Sequence, residues 1–249
     1  MATVTELATD LGATDQVKAY QARQTLAKLC GDLGASGKEA ERAAAAKDLA
    51  AALGAVKPAK DKRGEPTVES MQSVSAVNEI CRALALVAGE AEVGVLAACL
   101  KDIDLREPAR WCLSRLTCQG AADALAECLQ TATGTEFRVG VINALGKKSG
   151  SNVVEALKGA TTDGEPEVRL AACEALANVA DAALDAVIAA VDPGRSSRRA
   201  GRVAAARIRL GNTLLAAGND AGALEVFKAV AAADVPEAQK KAATAAVGK

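Results

Sequence analysis

Apolar residues return along this chain at the spacing of one face of an α-helix. The clearest stretch begins at Glu165. Its apolar positions are Val168, Ala172, Ala175 and Leu176. Pro166 suits the first helical position, where a missing N–H costs nothing, and Glu167 carries the charge that a helix N-terminus favours. The pattern predicts a helix that begins near Pro166.

The same apolar pattern recurs roughly every thirty residues, which is the length of a helical-hairpin repeat. Its successive anchors are Val77, Ala109, Phe137 and Val168, and a weaker copy begins at Ala22. Each clear copy is followed by a short turn and a second apolar stretch, over 93–100, 121–129, 153–160 and 183–191. The chain is therefore predicted to be a series of helical hairpins.

The stretch from Glu165 to Val191 resembles a HEAT repeat of the type first associated with phycobilisome lyases. The family's acidic-Pro-Glu-Val-Arg signature, followed by Ala and Ala-Leu, is matched by Glu165, Pro166, Glu167, Val168, Arg169, Ala172, Ala175 and Leu176. The resemblance covers about 65–193 well and 14–53 poorly, and Asn78 stands where the copy near 77 should have Arg. It implies an all-α solenoid, or superhelix, of about five HEAT-like hairpins.

The C-terminal part resembles a different repeat. Over 198–233, the tetratricopeptide spacing is matched by Leu210, Gly211, Leu214, Ala223 and Phe227. Gly211 and Ala223 would lie at the close contact between two helices, while Arg207 stands where that family has a large apolar residue. A capping helix is predicted from Glu237 to Val247, because an open solenoid end exposes apolar surface.

These patterns divide the chain into four predicted regions. They are a degenerate N-terminal helical repeat at 1–53, a polar loop at 54–65, HEAT-like repeats at 66–193, and the tetratricopeptide-like hairpin with its cap helix at 194–249. Ser36 and Glu39 have the spacing of a capping box. They would open an alanine-rich helix that ends near Leu53.

Composition argues against catalysis. The chain has no histidine, which removes Ser-His-Asp hydrolysis and His-ligated metal sites. It also lacks a dinucleotide fingerprint, and Gly-Lys-Lys-Ser at 146–149 lacks the upstream glycine of a phosphate-binding loop. With 30 basic and 31 acidic residues, no net field steers it toward nucleic acid or a membrane. We expect a protein that is not an enzyme.

The seven cysteines contain no Cys-x-x-Cys pair, and the spacing of Cys112, Cys118 and Cys128 does not suit structural zinc. The first ten residues do not resemble a signal peptide, and no apolar run reaches the ~18 residues of a membrane span. We therefore expect free thiols in a reducing cytoplasm, without a metal or another cofactor.

Six arginines and no acid occupy 195–209. They are Arg195, Arg198, Arg199, Arg202, Arg207 and Arg209. On a helix, all but Arg207 fall within an arc of ~100°. Such a stripe can bind phosphates or an acidic peptide by bidentate contacts, or it can be a solvated face paired with neighbouring acids. Nucleic acid is the less expected ligand, because single-strand binders interleave aromatic and basic residues.

Arg110, Arg138 and Arg169 occupy equivalent places in successive repeats. They could line a groove, although pairing with nearby acids such as Glu136, Asp163 or Glu165 is the interpretation that repeat proteins favour. Trp111, the only tryptophan, is either a binding hot spot or a half-buried packing residue.

The sequence therefore favours a non-catalytic scaffold or adaptor that binds a protein partner through a solenoid face. The HEAT resemblance implies an alternative, a lyase or chaperone-type subunit related to bilin lyases, although a tetrapyrrole would need aromatic or histidine contacts. A second alternative is a binder of nucleic-acid backbone that uses the 195–209 stripe. The partner and the oligomeric state stay open.

Overall fold

The computed structural model describes the backbone of residues 2–56 and 68–248, and the side chains of 2–56 and 73–248. Every regular element in these ranges is helical. Contacts divide the chain into two compact units, with the boundary between Cys128 and Leu129. The predicted region boundaries at 53, 65 and 193 do not coincide with this division and stay predictions.

The first unit contains six complete helices in the described residues. They are α1 (Val4–Asp10), α2 (Gln16–Leu33), α3 (Glu39–Ala55), α4 (Val68–Val87), α5 (Val93–Cys99) and α6 (Arg106–Arg115). A single 3₁₀ turn, Glu90–Glu92, precedes α5, and the boundary between the units falls within α7 (Gln119–Thr131).

The second unit continues with seven helices in its described residues. They are α8 (Thr135–Leu145), α9 (Ser151–Ala160), α10 (Pro166–Leu176), α11 (Leu184–Ala189), α12 (Ser197–Ala216), α13 (Asp220–Ala232) and α14 (Glu237–Val247). The hairpin and final helix expected at the C-terminus are therefore present. Pro166 is the first residue of α10, as its missing N–H predicts.

Within each unit, several helices that are two apart in the chain pack side by side. In the first unit, α2, α4 and α6 pack in succession, as do α1, α3 and α5. In the second unit, α8, α10 and α12 pack in succession, while α9 packs on α10 and α11 on α12. This two-layered stacking of hairpins confirms the all-α helical-repeat class that the sequence predicts.

The predicted anchor of each repeat is buried. Val77, Ala109 and Val168 are fully enclosed, and Phe137 is nearly so. The largest fully buried side chains are mostly leucines, and burial of each stabilises the fold by about 1.5–3 kcal/mol relative to exposure. Many of the other buried residues are alanines. Because alanine fills little volume, the helices of this core must lie close together.

A close approach in the C-terminal hairpin lies between Gly211 on α12 and Phe227 on α13. A Cβ atom added at Gly211 would lie 2.5 Å from Cε1 of Phe227, so only glycine fits without a shift. Ala223, the other small residue predicted at this contact, is also fully buried.

One local prediction is wrong. Ser36 and Glu39 do not form a capping box, because α3 begins at Glu39 with Lys38 as its N-cap residue. Ser36 lies in the preceding turn, and Oε1 of Glu39 accepts a hydrogen bond from the backbone N of Gly37 at 3.1 Å. The helix also runs through Gly54 to Ala55, past its predicted end near Leu53, while residues 57–65 of the predicted loop lie outside the described residues.

Candidate binding surface

The six arginines of 195–209 fall into two groups. Three of them, Arg199, Arg202 and Arg207, are held by acids of preceding helices. Nε of Arg199 lies 3.4 Å from Oε1 of Glu167, and Nη1 of Arg202 lies 2.7 Å from Oε2 of the same residue. Nε of Arg202 lies 2.8 Å from Oε1 of Glu174. These contacts attach α12 to α10.

The pairing between α10 and α12 is electrostatically balanced. Two guanidinium groups face two carboxylates, so the cluster carries no net charge. The hydrogen bond from Arg202 holds the pKa of the Glu167 carboxyl below its usual range, and the Arg199 guanidinium acts in the same direction. The hydrogen bond to Glu174 raises the pKa of Arg202. Arg202 therefore stays charged near neutral pH and keeps both of its carboxylate contacts.

Arg207 points into the apolar side of α12, as its place in the helical pattern predicts, and it is buried. Its Nε lies 2.7 Å from Oδ1 of Asp185, and its Nη2 lies 2.8 Å from Oδ2. This bidentate pair links α12 to α11. It explains why a tetratricopeptide-like hairpin tolerates arginine at an apolar position, because the charge is matched where it is buried.

Arg195, Arg198 and Arg209 form the second group, and we call them the free arginines. All three are exposed, and none makes an ion pair with another described residue of the chain. Arg198 and Arg209 lie on one face of α12, separated by about 16 Å along its axis. Arg195 lies just before the helix, whose N-cap is Ser196. The exposed charge of the stripe that no acid of the described residues matches therefore comes from these three residues.

The predicted arginine ladder is engaged within the chain. Arg138 forms an ion pair with Asp163. Arg169 donates from Nη1 to the backbone oxygens of Asp163 and Gly164, at 2.8 and 3.1 Å, and from Nη2 to that of Asp192 at 3.2 Å. In the first unit, Nε of Arg110 donates to Oε2 of Glu107 at 2.9 Å. These side chains hold turns and helix starts in place, and their assignment to binding stays a prediction.

Trp111 lies on the exposed face of α6, with 39% of its surface accessible. The guanidinium carbon of Arg115, one turn further along, lies 5.5 Å from the centre of its ring. This distance is within the range of a cation–π contact. The tryptophan is thus a surface residue covered on one side by an arginine, and its predicted binding role is untested.

A second arginine cluster lies in the first unit, and the sequence analysis does not predict it. Arg23 on α2 and Arg82 on α4 both approach Oε1 of Glu79, at 3.3 and 3.6 Å. They line a groove of about 330 Å³ between the two helices. Arg23 belonged to the weakest repeat copy, and only the packing of α2 on α4 brings it to Glu79.

The cysteines are free thiols in the described residues, and no group of three or more metal-ligating side chains there could hold a metal ion. Burial raises the pKa of Cys30 to about 11, and those of Cys112 and Cys173 to about 12. Such thiols stay protonated near neutral pH and are poor nucleophiles. Among the described residues, no helix has both the length and the apolar character needed to cross a bilayer.

Comparison with known families finds a match over residues 122–207, to the family described as HEAT repeats. This range begins within α7 and ends within α12. No curated protein matches the chain in sequence. The HEAT repeats predicted from the signature at Glu165 are therefore confirmed over this part of the chain.

Solved structures similar to this chain are only distantly related in sequence. One is the complex of CpcE and CpcF of phycocyanin lyase from Nostoc sp. PCC7120, with 18% identity over 100% of this chain and 94% of that chain, and a TM-score of 0.47. Another is YibA of E. coli, with 15% identity over 100% and 93%, and a TM-score of 0.48. A designed armadillo repeat protein in complex with the peptide (KR)4 has 18% identity over 99% of both chains, and a TM-score of 0.41.

Proposed function

We propose that this chain, whose residues 122–207 match HEAT repeats, is a non-catalytic adaptor that binds an acidic segment of a protein partner. The free arginines, Arg195, Arg198 and Arg209, make the contact. One observation carries this proposal. Some arginines of the stripe have counter-charges within the chain, whereas the free arginines have none among its described residues.

A peptide of acidic residues suits these three positions for two reasons. A guanidinium group presents paired donors that match the two oxygens of a carboxylate. In addition, the charges are spread over about 16 Å along one side of α12, a length that an extended peptide covers with about five residues. A compact anion such as a single phosphate could not reach from Arg198 to Arg209.

The chemistry of the thiols supports a binding role without catalysis. Burial raises the pKa values of Cys30, Cys112 and Cys173, so none of them provides a reactive thiolate near neutral pH. Histidine, the usual general base at that pH, does not occur in the sequence. The acid–arginine clusters on α10, α11 and α12 stabilise the repeat stack and leave the free arginines presented on its surface.

Fluorescence anisotropy of a labelled oligoglutamate peptide, titrated with the full chain, tests this proposal. Replacement of Arg195, Arg198 and Arg209 by serine should weaken binding by about tenfold, because exposed charge pairs contribute roughly 0.2–1 kcal/mol each. Raising the salt concentration should weaken wild-type binding in the same direction, since exposed charges are screened.

The matched control replaces Lys228, Lys240 and Lys241 by serine, which removes the same charge from the same unit. Equal losses in the two variants would overturn the proposal, because net charge and not the stripe would then drive binding. Binding of duplex DNA with steep salt dependence, without binding of oligoglutamate, would instead favour the nucleic-acid alternative.

A further inference from the structure

We infer that the groove between α2 and α4 is a separate docking site for a protein segment in which a carboxylate lies beside an aliphatic side chain. This groove belongs to the first unit, whereas the free arginines belong to the second. The inference therefore does not depend on the surface proposed above. We call this site the α2–α4 groove.

The charges of the α2–α4 groove are unbalanced. Arg23 and Arg82 both approach a single oxygen of Glu79, whose side chain is only 14% exposed. The distances of 3.3 and 3.6 Å exceed the roughly 2.7–2.9 Å of a strong charge-assisted hydrogen bond. Two cations thus share one anion through loose contacts, and the three residues carry one excess positive charge.

Both arginines can also reach outward. The side chain of Arg23 is 47% exposed and that of Arg82 is 67% exposed. Each guanidinium has five N–H donors, and the contact to Glu79 involves one nitrogen of each. The donors that remain form two forks at the rim of the groove, and a carboxylate from a partner fits either of them.

Apolar side chains complete the α2–α4 groove. Leu26 and Ala83 are buried and form its floor, and Leu86 at its edge is 50% exposed. Tyr20, one turn before Gln24 on α2, is 57% exposed, and its hydroxyl oxygen accepts a hydrogen bond from Nε2 of Gln24 at 2.7 Å. A partner's aliphatic side chain would remove Leu86 from water, and this burial of apolar surface favours the complex.

The size and charge of the groove select the occupant. A volume of about 330 Å³ is at the lower end of ligand sites and accommodates a few side chains. A nucleic-acid backbone fits poorly, because its row of phosphates would meet both the apolar floor and the Glu79 carboxylate. A single carboxylate next to leucine, isoleucine, valine or phenylalanine satisfies the arginines and the apolar floor together.

A library of short random peptides displayed on phage, selected on the full chain, tests this assignment. We expect enrichment of sequences with Asp or Glu adjacent to, or one helical turn from, an aliphatic or phenyl side chain. Failure to enrich any sequence, or enrichment of sequences without acids, would overturn it.

The affinity of an enriched peptide is then measured on variants by fluorescence anisotropy. Replacement of Arg23 and Arg82 by serine should weaken it by at least about tenfold, since both forks are lost. The matched control replaces Lys28 and Lys47, two exposed lysines of the same unit, and should bind like the wild type. Retained binding in the arginine variant would contradict the assignment.

Glu79→Gln is the most discriminating variant, because the assignment predicts a gain in affinity for the peptide. Without the carboxylate, neither arginine has an internal counter-charge, so affinity for the peptide should rise by a few-fold. Unchanged or weaker binding, with thermal unfolding unaltered, would show that the cluster is structural. Replacing Arg195, Arg198 and Arg209 should leave this affinity unchanged, so the two proposed surfaces can fail independently.

Discussion

Two arginine clusters, one in each unit, differ in how fully their charge is matched. In the first unit, Arg23 and Arg82 share one oxygen of Glu79. In the second unit, Arg199 and Arg202 face two glutamates, and the Nη1 and Nε contacts of Arg202 measure 2.7 and 2.8 Å. Each cluster contains two arginines, so the number of carboxylates that face them separates the two cases.

This difference shows how a charged side chain on a repeat surface can be interpreted. An arginine that has its own carboxylate, at hydrogen-bonding distance, contributes to packing between helices and has little left to offer a partner. An arginine in a cluster with fewer carboxylates than guanidinium groups, or with no carboxylate at all, keeps free donors at the surface. The buried Arg207 of the second unit follows the same rule, because it alone among the described residues contacts both oxygens of Asp185.

The largest effect should come from breaking the matched pair that is buried. Asp185→Ala leaves the Arg207 guanidinium uncompensated inside the unit, and we expect a loss of about 3 kcal/mol in the free energy of unfolding. Urea denaturation followed by circular dichroism measures this change.

The control for that prediction is a second substitution. Arg207→Leu in the Asp185→Ala background should recover most of the stability, since no buried charge is then left unpaired. A loss from Asp185→Ala smaller than about 0.5 kcal/mol would mean that the pair behaves like an exposed one.

A smaller effect should follow from converting the balanced cluster into an unbalanced one. Changing Glu167 and Glu174 to glutamine leaves Arg199 and Arg202 without counter-charges, so the stripe has two more arginines to offer. We expect oligoglutamate to bind roughly fivefold more tightly, from about 1 kcal/mol of added ion pairing. Anisotropy titration measures the change, and Glu225→Gln with Glu237→Gln removes equal charge elsewhere in the unit as a control.

The smallest expected effect is on pH dependence. The pKa of Glu167 is lowered by Arg202, so its contribution to stability is present above the unfolded-state value of 4.5 and is lost as pH falls through the lowered folded-state value. The stability difference between wild type and Glu167→Gln should be constant from pH 7 to about pH 5. Urea titrations at several pH values should show it shrinking only below that range.

The helices could largely be predicted from the sequence because they depend on local spacing. The anchors at Val77, Ala109, Phe137 and Val168 are all buried, and Gly211 lies against Phe227 as the hairpin requires. The capping-box prediction was wrong because it rested on residue spacing alone. Helix α3 begins three residues after Ser36, so that residue is too far ahead of the helix to serve as its N-cap.

The candidate surfaces could be predicted only in part. The arginine stripe is visible in the sequence, but its division is not, because the acids that hold Arg202 lie 28 and 35 residues earlier in the chain. The α2–α4 groove could not be found at all, since Arg23 and Glu79 belong to different repeats. Pairings at this separation depend on how α10 meets α12 and how α2 meets α4.

The pairing between hairpins also constrains how the chain can be inherited. Arg110 and Glu107 lie within one helix, so a duplicated or exchanged repeat carries both partners with it. Arg202 instead depends on Glu167 and Glu174 of the preceding hairpin. Insertion, loss or exchange of a hairpin between α10 and α12 would separate the cation from its counter-ions. These hairpins should therefore descend together as one block, whereas repeats with internal pairs are free to be copied singly.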